Sequence, residues 1–192
     1  MLIDKTPRLK DAVLNLPPKE KDKLLLKLIS KDIVLLNQLE HQLLEDDSDL
    51  DERVEQIKEE INKKIALVNR FLENNYNYSA GYFMMDIREM SGLINEHLLI
   101  TKHKLSEIDL RIFLLESIID CSAKHYFYKP TRHNEKLFNY FAGRVKYILE
   151  KFFKLHEDVQ FDFSERLNAV LKFAHQSGLK SAMENIELVK EV

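Results

Sequence analysis

SDLDERVEQIKEEINKKIALVNRFL, residues 48–72, sets apolar side chains at Leu50, Val54, Ile57, Ile61, Ile65, Val68 and Leu72, spaced 4, 3, 4, 4, 3 and 4. A recurrence of about 3.67 residues is the period of an α-helix and not the two-residue alternation of a strand. Glu52, Glu55, Lys58, Glu59, Glu60, Lys63 and Lys64 fill the positions between, so one face is apolar and the other charged. Ser48 stands where an N-cap belongs, with Asp51 three residues on as a shortened capping box.

The same period continues outward from this stretch. Phe83, Ile87, Met90, Ile94 and Leu98 mark a second stripe. Ser106, with Asp109 in the first turn, opens a helix carrying two stripes, Ile108, Ile112, Leu115, Ile119 and Leu110, Leu114, Ile118. Together they cover about 200° of the helical wheel, which predicts a central helix with neighbours on two sides. A further helix beginning near Thr131 shows Leu137, Phe141, Val145, Ile148, Phe152 and Leu155, and shorter ones are expected over 163–176 and 179–189. Ser177 and Gly178 separate those two, and glycine there can take a left-handed C-cap. Upstream, Thr6-Pro7 and Pro18 read as helix starts, with a break at Ser30-Lys31-Asp32. Proline occurs only at 7, 17, 18 and 130, so residues 19–129 contain no strong helix interrupter. No segment alternates convincingly as a strand. The expectation is an all-α chain: one domain over 1–192, an antiparallel multi-helix array of seven to nine helices, closing as a helical bundle or an α-α superhelix. Helices over 48–76, 81–102, 106–126 and 132–156 are expected to be consecutive antiparallel neighbours, because their connections are short.

Composition narrows the function classes. The chain has 192 residues, 45% hydrophobic and 32% charged, with a single cysteine. One cysteine forms no intramolecular disulfide and no Cys-based zinc site, which points to a reducing cytoplasm. Residues 1–10 lack the apolar core of a secretory signal, and no apolar run approaches the ~18 residues of a membrane span, so no membrane partner is expected.

Catalytic motifs are sparse. Glu-x-x-His, His-Glu-x-x-His, a His-Asp dipeptide and a Gly-rich phosphate loop are all missing, so neither a metal nor another cofactor is expected. Cys121 and His125, four apart, continue the Leu110, Leu114, Ile118 stripe, where a thiolate and an imidazolium could share one face. A lone cysteine in such a stripe is more often a small buried hydrophobe. His97 and His103, near Glu96 and Glu107, read as capping or solvated groups more readily than as metal ligands.

Charge is unevenly distributed. Residues 40–60 hold ten acidic side chains against Arg53 and Lys58, a local −8 in a chain whose net charge is −3. Residues 123–156 reverse the sign, with eight basic side chains against Glu135 and Glu150, and carry nine of the eighteen aromatics. Cations interleaved with rings suit single-stranded nucleic acid, and Lys124, Lys129, Arg132 and Lys136 form the candidate basic patch. Core spacing explains much of the aromatic enrichment, and acidic and basic segments can instead meet within the fold or across a symmetric dimer. Two junctions rich in tyrosine, residues 74–82 and 126–133, make Tyr76, Tyr78, Tyr82, Tyr126 and Tyr128 candidate partner contacts, although such rings also plug helix ends.

Lys19-Glu20-Lys21-Asp22-Lys23-Leu24 after Pro17-Pro18, Tyr78-Ser79-Ala80-Gly81-Tyr82, and Ser91-Gly92-Leu93-Ile94-Asn95-Glu96-His97 together resemble a group of uncharacterised helical bacterial proteins, over most of the chain. The resemblance implies a bacterial cytoplasmic setting and no chemistry. The expected function is a non-enzymatic helical scaffold or protein-interaction module, with a protein partner that includes a second copy of itself. Nucleic-acid association through 123–156 is the alternative, and an enzyme using Cys121 and His125 the third.

Overall fold

The computed structural model describes residues 2–74 and 77–192, and among them the chain is all-α, with no strand. Among the described residues nine α-helices run in order: α1 (Pro7–Leu14), α2 (Pro18–Ile29), α3 (Ile33–Leu44), α4 (Asp47–Glu73), α5 (Ala80–Thr101), α6 (Lys104–Asp120), α7 (Glu135–Phe152), α8 (Glu157–Gln176) and α9 (Lys180–Asn185). Short 3-10 helices occupy Leu2–Lys5 and Ser122–Tyr128. No described helix is long and apolar enough to cross a membrane.

The chain divides into two compact units, residues 1–46 with 99–101, and residues 47–98 with 102–192. Neither a linker nor a composition shift in the sequence marks this boundary. In the first unit no residue of α1, α2 or α3 is buried. Its helices begin where the sequence places them: prolines occupy the first turns of α1 and α2, and Asp32 caps α3 by accepting from the Val34 and Leu35 amides at 3.0 and 3.1 Å.

The second unit is built around α6, which packs against α4, α7, α8 and the 3-10 segment 122–128. Ile108, Leu110, Ile112, Leu114, Leu115 and Ile118 are all buried, so both apolar stripes of α6 are covered as expected. Val54, Ile61 and Val68 of α4 face inward, and Phe83, Ile87, Met90 and Ile94 do so from α5. The main partner of α4 is α6 and not its chain neighbour α5. Helix separation grows with the side chains at the contact, and the large inward residues of α5 hold its backbone further off.

Three local expectations change. The helix expected to run to residue 126 ends at Asp120, because the Ser122 amide donates to Asn69 Oδ1 at 2.9 Å and leaves the helical ladder. α7 starts at Glu135 and not near Thr131, since the buried Asn134 side chain donates to the Tyr126 and Lys129 carbonyls, both at 3.0 Å, and holds the preceding residues in turns. Gly178 has no left-handed backbone. Its amide donates to the Phe127 carbonyl at 2.8 Å, and a Cβ built there would stand 2.6 Å from that same oxygen, so close backbone approach is what requires glycine.

Candidate functional site

The most concentrated chemistry lies where α5, α6 and α7 meet. Glu107, in the first turn of α6, has 0% of its surface exposed. A buried carboxylate is costly unless paired, and this one accepts from Arg111 Nε at 2.8 Å, from the Tyr147 hydroxyl at 2.9 Å and from Lys151 Nζ. Burial alone would raise its pKa. The bonds from Lys151, Arg111 and Tyr147 more than offset that and hold the carboxyl below its ordinary value. Arg111, itself buried, also donates through Nη2 to Asn95 Oδ1 at 2.8 Å.

Tyr140, Arg144, Tyr147 and Lys151 follow one another at helical spacing along α7 and alternate ring with cation. The Arg88 and Arg144 guanidinium carbons stand 5.2 and 5.1 Å from the Tyr140 ring centre. Arg111, Arg144 and Lys151 stand 4.6, 5.8 and 4.7 Å from that of Tyr147. The sequence reading counted these α7 residues within a basic aromatic segment without selecting them. Their 4, 3, 4 spacing was an available signal, as was the i, i+4 spacing of Glu107 and Arg111 on α6, while the contribution of α5 had none.

The basic patch Lys124, Lys129, Arg132 and Lys136 surrounds the junction between the 3-10 segment and α7, and all four residues are exposed. None of the four pairs with a described carboxylate. Arg132 also lines an open cleft of about 280 Å³ with Thr131, Glu135, Asn139 and Ser181.

The tyrosines divide by role. Tyr76 lies outside the described residues. Tyr78 is half-buried, donates to Asp86, and accepts through its carbonyl from the Tyr126 hydroxyl. Desolvation first, and the Asp86 carboxylate second, raise the Tyr78 pKa above its ordinary value. These two rings close the end of the helices over the core. Tyr82 and Tyr128 are exposed, with ring centres 6.2 Å from that of Tyr78 and 5.8 Å from that of Phe173.

Cys121 and His125 are not on one face of an α-helix, since α6 ends before both. The Cys121 thiol is buried and donates to the Ile118 carbonyl at 3.2 Å, while His125 Nδ1 lies 2.8 Å from the Ser122 carbonyl. Burial pushes the thiol pKa up to about 11, so the thiolate population at neutral pH is negligible. The native protein is therefore expected to react slowly with a thiol reagent, with rapid labelling only after unfolding. Fast labelling of the folded chain would contradict this geometry.

His103 caps α6 by accepting from the Ser106 amide at 3.3 Å, and buried His97 lies 2.7 Å from the Ser106 hydroxyl. Among the described residues no group of three or more His, Cys, Asp or Glu is arranged to hold a metal. No protein-family model matches this chain, and neither a curated protein nor a solved structure matches it.

Proposed function

We propose that this protein is a helical protein-interaction module that associates with a second copy of itself through α1–α3. The observation that carries this reading is the burial pattern of the first unit. Leu25, Leu26 and Leu28 of α2 and Ile33, Leu43 and Leu44 of α3 are exposed, the last by 79%. Three short helices with no buried residue cannot offset the entropy of ordering their backbone, so they need an apolar surface supplied from outside. Charge favours a second copy. Lys19, Lys21, Lys23, Lys27 and Lys31 against Glu20 and Asp22 give residues 19–31 a local balance of +3, while residues 40–60 carry −8. In a twofold pair the basic stretch of each copy meets the acidic stretch of the other.

Sedimentation of the full chain tests this. A dimer or larger species is expected at micromolar concentration, and Leu25→Glu with Leu43→Glu should drive it to monomer without loss of helix signal from residues 47–192. Both side chains are exposed, so their replacement does not open the core. A monomer at all accessible concentrations overturns the proposal.

A second reading, nucleic-acid association, is supported by the four exposed and unpaired cations around residues 124–136. Their neutralisation should then weaken single-strand binding and flatten its salt dependence together. The net charge of −3 opposes it at long range.

A further inference from the structure

We propose that Arg88 and Arg144 form a binding site for a phosphate-type oxyanion, inorganic phosphate or the terminal phosphoryl group of a small molecule. Four cations, Arg88, Arg111, Arg144 and Lys151, crowd the two rings Tyr140 and Tyr147 at the ring-centre distances of 4.6 to 5.8 Å given above. One carboxylate, Glu107, answers them, and it is engaged by Arg111 and Lys151. Arg88 and Arg144 have no ion-pair partner among the described residues, and both stand against the Tyr140 ring. Like charges this close repel, and the cluster as it stands is +3 without an added anion.

The second observation is independent of charge counting. Arg144 Nε is buried and has no hydrogen-bond partner. A ring face attracts a guanidinium but does not satisfy its N–H groups, and a buried N–H without a protein partner is a place where a water or an ion can complete the bonding. Arg144 lines a cavity of about 10 Å³ together with Ser91, Arg111 and Tyr147 over an apolar floor, and Arg88, on the Tyr140 ring, stands outside that lining. That space takes one oxygen atom. A ligand can insert an oxygen there and keep its body outside. Two guanidinium forks recognise the oxygens of a phosphoryl group better than a spherical halide, because each can donate two parallel hydrogen bonds. Both Tyr140 and Tyr147 already carry guanidinium groups on their rings, so the site reads an anion and not a stacked base.

The test is titration of the full chain with sodium phosphate and with phenyl phosphate, each compared with chloride at equal ionic strength. Thermal unfolding is followed together with the Nε–H resonances of the arginines in a nitrogen-correlated NMR spectrum. Saturable stabilisation with a shift of one buried arginine resonance is expected. Arg88→Gln and Arg144→Gln should each weaken the response about tenfold or more, as loss of a charged hydrogen bond does. Lys146→Gln, an exposed change on the same helix, should leave it intact. Arg88 is exposed, so its variant retains the fold even if Arg144→Gln does not. Tighter binding of phenyl phosphate than of phosphate supports the site and identifies an esterified ligand. A response no larger than that of chloride, or one unchanged in Arg88→Gln, overturns the proposal and leaves a trapped water at Arg144. A single-stranded oligonucleotide that binds through these arginines while phosphate does not also overturns it.

Discussion

Glu107→Gln lowers the unfolding free energy by about 3 to 5 kcal/mol, the cost of removing one partner from a buried charge pair. Glutamine keeps the shape of the side chain and one acceptor, so the loss comes from charge. Arg111 is 5% exposed and would remain in the core with only neutral acceptors, the glutamine carbonyl and Asn95. Lys151 can turn toward water, which limits its share. Chemical denaturation at neutral pH measures the effect, with the exposed Glu55→Gln as reference. A loss under about 1 kcal/mol would falsify the view that Glu107 neutralises Arg111. Acid reads the same group. Its folded pKa is depressed from an ordinary 4.5, so its stabilisation is fully present above that value and is lost as pH falls through the folded one. The gap between native and Glu107→Gln proteins should therefore close in acid. Asp109 adds to the native protein's acid sensitivity with the same sign: burial raises its pKa, and Arg166 and Lys58 lower it further than burial raises it.

Phe127→Ala should cost about 3 to 5 kcal/mol, as a large aromatic removed from a closed core does. Phe127 has 0% exposure, with ring centres of Phe141, Phe173, Phe138 and Phe83 at 5.1, 5.8, 6.0 and 6.3 Å. Four rings contributed by α5, α7 and α8 cannot all move in to fill the gap. Phe127→Leu, which restores part of the volume, should recover part of the loss. Equal losses for the two substitutions would show that the ring contacts carry none of it.

Helix positions were legible because burial and spacing agree. Val54, Ile61 and Val68, seven apart, are the buried residues of α4, and the paired stripes of α6 are buried together. Helix ends were legible only where a local residue makes them, as Asp32 and Pro18 do. The end of α6 is made by Asn69, 53 residues away, and nothing between Leu110 and His125 interrupts helical spacing. The Cys121 and His125 pairing failed for that reason. Gly178 was read as a turn-former, yet its role depends on a carbonyl 51 residues earlier. The polar centre was the least legible part. Glu107 meets Tyr147 and Lys151 at separations of 40 and 44 residues, and its own neighbourhood in sequence looks like an ordinary acidic first turn.

The position of α6 bears on how the chain is made. Its partners are α4 on one side of it in sequence and α7 and α8 on the other. As synthesis proceeds from the amino terminus, α6 emerges with α4 available and its remaining apolar surface uncovered, and it stays so until residue 176 has followed. During that interval the part of α6 that α7 and α8 later cover is open to the crowded cell. A nascent chain at this stage is more exposed to mispairing and to capture by chaperones than one that closes its core locally.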